Sequence, residues 1–201
     1  VQRQAFADLA TWERDGAGEV CLSVNVSAAQ LEKEGFVEQF TGAMQEAGIE
    51  PARIKLEITE NTLMQDMEVI IPKLKALRSL GARVAIDDFG TGYSSLSYLR
   101  QFPINTLKID RSFVLDIREE EAEGEASIVN AIVAMAQGLK LDLIAEGVEN
   151  RTQLNYLKAQ GCSEVQGYIY AAPMPADAMC AMLKDDPFAQ IVLQESLAAA
   201  S

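Results

Sequence analysis

Short apolar runs alternate with helical stretches along this chain, and the alternation repeats six times. The runs at 20–26, 55–59, 83–87, 106–109, 142–145 and 164–168 read as strands. Helical patterns fill the intervals near 37–47, 66–80, 94–101, 126–139, 151–160 and 176–183. Leu74, Leu77 and Leu80 keep helical spacing, and Gly81 follows as a stop; Gly48, Gly138 and Gly161 are expected to end other helices in the same way. Repeated strand-helix units imply parallel strands with helices packed outside. The repeat of about 30 residues is that of a TIM-like (β/α)8 barrel. Only six units are visible, so the α/β barrel is expected to be N-terminally incomplete. Residues 1–16 read as a helix with Phe6, Leu9 and Trp12 on one face, so the chain starts inside a unit. Without the strands that close it, such a sheet has open edges, and the chain alone is expected to be unstable.

The 201 residues suit one domain, and a hydrophobic content of 49% suffices for its core. A domain at 1–184 and a helical tail at 185–201 are expected. Residues 118–125 read as a charged, solvated connector. No apolar run reaches the length of a membrane span, and the first residues show no signal-peptide pattern. The net charge of −13 argues against gripping DNA through basic patches. It does not exclude a phosphorylated substrate, because bound metal ions can reverse the local field. Cys21, Cys162 and Cys180 are widely spaced and read as reduced thiols of a cytoplasmic protein. The chain has no histidine, which removes Ser-His-Asp, Cys-His and His-rich zinc chemistry.

Polar residues recur at the strand ends. Asn25 follows Leu22-Ser-Val, Glu57 lies within Lys55-Leu-Glu-Ile-Thr-Glu60, and Asp87 and Asp88 close the third run. Lys108 sits in Leu107-Lys-Ile-Asp110, Glu146 and Glu149 in Ile144-Ala-Glu-Gly-Val-Glu149, and Gln166 before Gly167. Taken singly, each has a bland explanation as a turn, cap or surface residue; their recurrence at successive strand ends does not. In a parallel barrel those ends converge on one mouth. Oxygen ligands of this kind suit Mg²⁺ or Mn²⁺, and a carboxylate shared by two ions suits phosphoryl chemistry. Asp87 is placed to be that bridge. Lys108 could position or deprotonate an attacking water, or balance charge on a phosphate. Gly90 and Gly92 serve either a tight turn or a loop that orders over the metals.

Six segments, Ser23-Val-Asn-Val-Ser27, Leu56-Glu-Ile-Thr-Glu60, the run from Ile86-Asp-Asp-Phe-Gly-Thr-Gly-Tyr to Leu99, Leu107-Lys-Ile-Asp-Arg-Ser-Phe-Val114, Ile144-Ala-Glu-Gly-Val-Glu149 and Gly161-Cys-Ser-Glu-Val-Gln-Gly-Tyr168, occur in an order that resembles the EAL-domain family of bacterial cyclic di-GMP phosphodiesterases. The resemblance implies an EAL-type barrel with one antiparallel strand, two Mg²⁺ or Mn²⁺ ions, and hydrolysis of cyclic di-GMP to linear pGpG. It implies Asn25, Glu57 and Asp87 as ligands of one ion, and Asp87 and Asp88 as ligands of the second, with Glu146 beside it in a ligating and catalytic part. Lys108 is similar to the lysine that holds the nucleophilic water, Glu149 and Gln166 to substrate- or water-positioning residues, and Glu60 to the glutamate that anchors the Gly-rich loop and couples it to dimerisation. A homodimer and an upstream sensor or GGDEF domain, through which a longer protein could be tethered to a membrane, are further expectations.

Two departures stand out. The Glu-Ala-Leu motif, with one glutamate ligand, is absent, and Ala171-Ala172-Pro173 stands where the family often has a basic residue before the proline. A catalytically silent cyclic di-GMP receptor is therefore the alternative, and an unrelated metal-dependent barrel enzyme such as a carbon-acid lyase a third.

Overall fold

The computed structural model describes residues 1–91, 99–117 and 127–185. The expected connector at 118–125, the glycine-rich run over 92–98, most of the helix at 94–101 and the tail beyond Asp185 lie outside the described residues. Helix α1 (Gln2–Arg14) opens the chain, followed by β1 (Leu22–Asn25), α2 (Ala28–Leu31), α3 (Phe36–Ala47), β2 (Ile54–Thr59), α4 (Glu60–Gln65), α5 (Met67–Ser79) and β3 (Arg83–Phe89). Then come β4 (Thr106–Ile109), α6 (Arg111–Leu115), α7 (Ser127–Leu139), β5 (Asp142–Glu146), α8 (Arg151–Ala159), β6 (Glu164–Gln166) and α9 (Ala176–Asp185).

The six strands form one sheet in chain order, β1 to β6. All five pairings are parallel, so the antiparallel strand implied by the resemblance is not among the described residues. Side chains alternate between the two faces of a strand. One face carries Val24, Ile54, Leu56, Ile58, Val84, Ile86, Leu107, Ile109, Leu143 and Ala145, all buried in the main hydrophobic cluster. Against it pack Leu74 and Leu77 of α5, Val129 and Ile132 of α7, and Leu154 and Leu157 of α8. Burying one such side chain contributes about 1.5–3 kcal/mol, so this layer is the main apolar support of the fold. Helix α1 joins it through Phe6 and Leu9, with Phe6 meeting Phe40 of α3 edge-on at 5.4 Å between ring centres.

The other face carries Lys55 and Glu57 of β2, Ala85 and Asp87 of β3, Thr106 and Lys108 of β4, Ile144 and Glu146 of β5, and Glu164 and Gln166 of β6. This face is concave. Lys55 Nζ lies 3.0 Å from Glu164 Oε2, although β2 and β6 are four strands apart. A flat sheet would separate those strands by about 19 Å, far beyond the reach of the two side chains.

Two details differ from the sequence expectation. Gly138 lies inside α7, and the residue that ends the helix in a left-handed conformation is Lys140, with φ of 57°. The short helices α2, α4 and α6 follow strand ends directly, where the sequence pattern shows no helical period. Cys21, Cys162 and Cys180 are free thiols, as expected. No helix among the described residues is long and apolar enough to cross a membrane.

Candidate functional site

Lys108 lies at the centre of the carboxyl end of the concave face and is 2% exposed. An ammonium so buried is tolerated only with charged partners. Its Nζ donates to Glu57 Oε2 at 2.7 Å and to Asp87 Oδ1 at 2.9 Å, and it also contacts Glu146 Oε1. Burial alone would lower the Lys108 pKa, but the bonds to Glu146, Glu57 and Asp87 outweigh it and hold the pKa above that of an ordinary lysine. The same burial pushes the Glu146 carboxyl above its usual range, helped by Asp87 and Glu57 and opposed by Lys108. Three carboxylates therefore surround one cation.

Neighbouring residues of a regular strand point to opposite faces, so Asp87 and Asp88 could not both reach this mouth in one. The register of β3 on β4 slips between Ile86 and Phe89, placing one extra residue on β3. Asp88 takes up that residue with φ of 53°, a left-handed conformation in which Asp is enriched among non-glycine residues. One oxygen each of Asp87, Asp88 and Glu146 then lies within 4.8 Å of the others. With Glu57, this end carries four carboxylates against one ammonium. Burial, then Asp87 and Asp110, raise the Asp88 pKa. At Asp110 burial also acts upward, but hydrogen bonds from Ser112 and the Arg111 backbone outweigh it and lower the pKa.

Glu60 is 4% exposed at the start of α4, and its Oε2 accepts from Gly90 N–H at 3.1 Å. Gly90 has φ of 95°, and a Cβ there would stand 2.9 Å from the Phe113 ring. The root of the glycine-rich segment is thus held between α4 and α6. Asn25 pairs in register with Glu57, and Gln166 with Glu146, so both stand at this end of the sheet. Both are exposed, and no hydrogen bond joins either to the cluster among the described residues. Glu149 is bonded instead to Arg111 Nη2 at 2.5 Å. The Arg111 stem lies over Gly147, where a Cβ would stand 2.2 Å from Arg111 Cγ. Asp110 and Arg111 were not singled out from sequence as site residues. Their signal was position: both sit in the turn leaving β4, two and three residues after Lys108.

A parallel α/β sheet with hard oxygen donors gathered at its carboxyl ends is the arrangement in which barrel-type enzymes build their sites. Comparison with known proteins makes that class specific. The chain belongs to the EAL domain family, whose profile matches residues 1–173. It is 42% identical over 179 residues to the cyclic di-GMP phosphodiesterase NbdA of Pseudomonas aeruginosa, covering 89% of this chain and 23% of NbdA. It is 38% identical over 181 residues to the bifunctional diguanylate cyclase/cyclic di-GMP phosphodiesterase MucR of the same organism, covering 90% of this chain and 26% of MucR. A structure of the MucR phosphodiesterase in complex with c-di-GMP matches with a TM-score of 0.79 over 89% of this chain and 71% of that one. A manganese/cyclic di-GMP complex of BlrP1 from Klebsiella pneumoniae matches with a TM-score of 0.74 at 29% identity, over 85% of this chain and 43% of that one. The chain thus spans about a quarter of the length of these curated relatives, and its six strands correspond to part of an EAL barrel.

Proposed function

We propose that this chain carries the catalytic end of a metal-dependent phosphodiesterase that opens cyclic di-GMP to linear pGpG. One observation carries the proposal: Glu57, Asp87 and Glu146 around buried Lys108, with Asp88 turned in beside them by the β3 bulge. The donor set fits two Mg²⁺ or Mn²⁺ ions. It is all hard oxygen, and its charge exceeds what Lys108 can balance. Asn25, Glu57 and Asp87 would hold one ion, and Asp87, Asp88 and Glu146 the other. When bound, such ions supply Lewis acidity and lower the pKa of a coordinated water. The manganese in the BlrP1 complex supports divalent-metal use.

In the reaction, water adds to one phosphorus of the ring and one bridging P–O bond breaks. Lys108 acts as an ammonium, because its carboxylate partners favour the charged form; it orients the water and offsets charge on the phosphate. Glu146 supports the water from the neighbouring strand, β5. Glu149, held by Arg111, and Gln166 position substrate at the β5–β6 side of the mouth. Glu60 fixes the root of the Gly-rich segment through Gly90 and so couples it to α4. In the longer protein we place this unit in a cytoplasmic homodimer beside a sensor or GGDEF domain, a pairing supported by the bifunctional name of MucR.

Hydrolysis of cyclic di-GMP by the protein, followed by chromatography for pGpG with Mg²⁺, Mn²⁺ or chelator, tests the reading. Metal-dependent pGpG that disappears in Asp87→Asn is expected. Tight binding with no turnover under either metal would leave a receptor instead, a reading that no feature of this site favours.

A further inference from the structure

A cavity of about 290 Å³ lies at the opposite end of the sheet, among the turns that lead into β3, β4 and β5. Arg78, Arg100 and Lys140 line it, together with Phe102, Ile104 and Leu141. No acidic residue lines it, in a chain whose acidic residues outnumber its basic ones by 30 to 17. None of the three cations has an ion pair or side-chain hydrogen bond among the described residues, and all three are exposed. The helix dipole accounts for Arg78 in the last turn of α5 and for Lys140 just after α7. It does not account for their sharing a cavity with Arg100. Lys140 also holds a left-handed φ of 57° at a place where a glycine or asparagine usually ends a helix.

We propose that this cavity is a second ligand site, for a phosphate group, free or carried by a small monoester. Guanidinium forks match phosphate oxygens bidentately, and an ammonium adds a third charged donor. Leu99, Phe102 and Ile104 beside these donors are buried and offer an organic part little surface, so the phosphate group itself carries the recognition. The volume lies at the small end of ligand pockets, which start at about 300 Å³, and is too small to enclose a cyclic dinucleotide. The site is therefore chemically distinct from the carboxylate end, and it stands or falls independently of the proposed hydrolysis.

The test is isothermal titration of the protein with phenyl phosphate and with inorganic phosphate, at low salt and with chelator present to keep metal-bound phosphate out of the carboxylate cluster. Phenyl phosphate is expected to bind at one site per chain, with inorganic phosphate competing for it. Arg78→Ala and Arg100→Ala should each weaken it roughly ten-fold, with Arg100→Lys recovering part of the loss. Lys33→Ala, an exposed control elsewhere, should change nothing. Circular-dichroism melting of each variant checks the fold, which exposed side chains should leave intact. Absence of saturable binding, binding that survives the Arg78→Ala/Arg100→Ala double variant, or an equal loss in Lys33→Ala would each overturn the proposal. Phenyl phosphate binding that inorganic phosphate does not displace would overturn recognition through the phosphate group.

Discussion

Two lysines on the concave face, Lys55 and Lys108, are buried to nearly the same degree, at 6% and 2% exposure, and their surroundings differ in one respect. At the amino end Lys55 meets a single carboxylate, Glu164, and the exposed pair of Arg83 and Asp142 lies alongside. The charges there cancel. At the carboxyl end Lys108 meets Glu57, Asp87 and Glu146, with Asp88 close by, and the charges do not cancel. Both ends are held by ion pairs, yet only one is built with more negative charge than its own cation can satisfy. A balanced pair shapes the sheet; an unbalanced cluster calls for further cations. That contrast separates scaffold from chemistry without reference to any relative.

The largest expected effect comes from Lys108→Met. It leaves buried carboxylates without their ammonium, a change that costs about 3–5 kcal/mol in metal-free protein. Turnover should fall by about 10²–10³-fold, as expected for loss of one group that stabilises charge in the transition state. Urea melts with and without Mn²⁺ read the first effect, and part of the lost stability should return with the metal. A variant as stable as the parent in chelator would show that the cluster is not strained by its charge, and the contrast would fail.

Next in size is the response to metal itself. Mn²⁺ at about one hundred times its Kd should stabilise the parent by about 2.7 kcal/mol, and chelator should reverse the gain. Asp87→Asn should abolish the response, because Asp87 faces both Lys108 and the Asp88–Glu146 group. Lys55→Met should retain it in full. A Mn²⁺ response that depended on Lys55 as much as on Asp87 would erase the distinction between the two ends.

The amino-end pair gives a smaller and asymmetric effect. Glu164 is half exposed and Lys55 is not. Glu164→Gln leaves a buried ammonium poorly paired, at a cost of about 1–3 kcal/mol. Lys55→Met leaves a carboxylate that water can reach, so the loss is about 1 kcal/mol or less. Equal losses in the two variants, compared by urea melts, would mean that the concave face is wetter at this end than the structure shows.

How far the sequence could reveal these features depends on how locally each is encoded. The outward residues Ile54, Leu56 and Ile58, or Val84 and Ile86, mark strands whatever their neighbours do, and α3, α5 and α8 are long enough to show their period. Helices α2, α4 and α6 have four to six residues, too few to repeat a helical face, so the positions of Glu60 and Asp110 at their starts were hidden. The pair Asp87-Asp88 was visible, but the bulge that turns both carboxylates to one mouth depends on the register of β4 and is not written in β3 alone. The Lys55–Glu164 pair joins residues 109 positions apart and exists only because the sheet curves. The short turns that shape the site and the curvature that closes it are tertiary properties, and a local pattern of apolar residues carries neither.

The smallest expected effect tests the neutral end at its rim. Arg83 and Asp142 are paired across the starts of β3 and β5, with side chains 39% and 49% exposed. Water screens such a pair, and holding two long side chains in one geometry offsets most of its attraction, leaving about 0.5 kcal/mol or less. Arg83→Ala should therefore lower stability by no more than that in dilute buffer, and by nothing measurable in about 1 M salt, where the screening length falls to about 3 Å. The Lys108 cluster should keep most of its effect in the same salt, because its charges are out of reach of mobile ions. Urea melts of both variants at the two salt concentrations compare rim and centre directly. If salt erased the Lys108→Met penalty as readily as the Arg83→Ala penalty, the carboxyl end would be as solvated as the rim, and its excess negative charge would no longer require a bound cation.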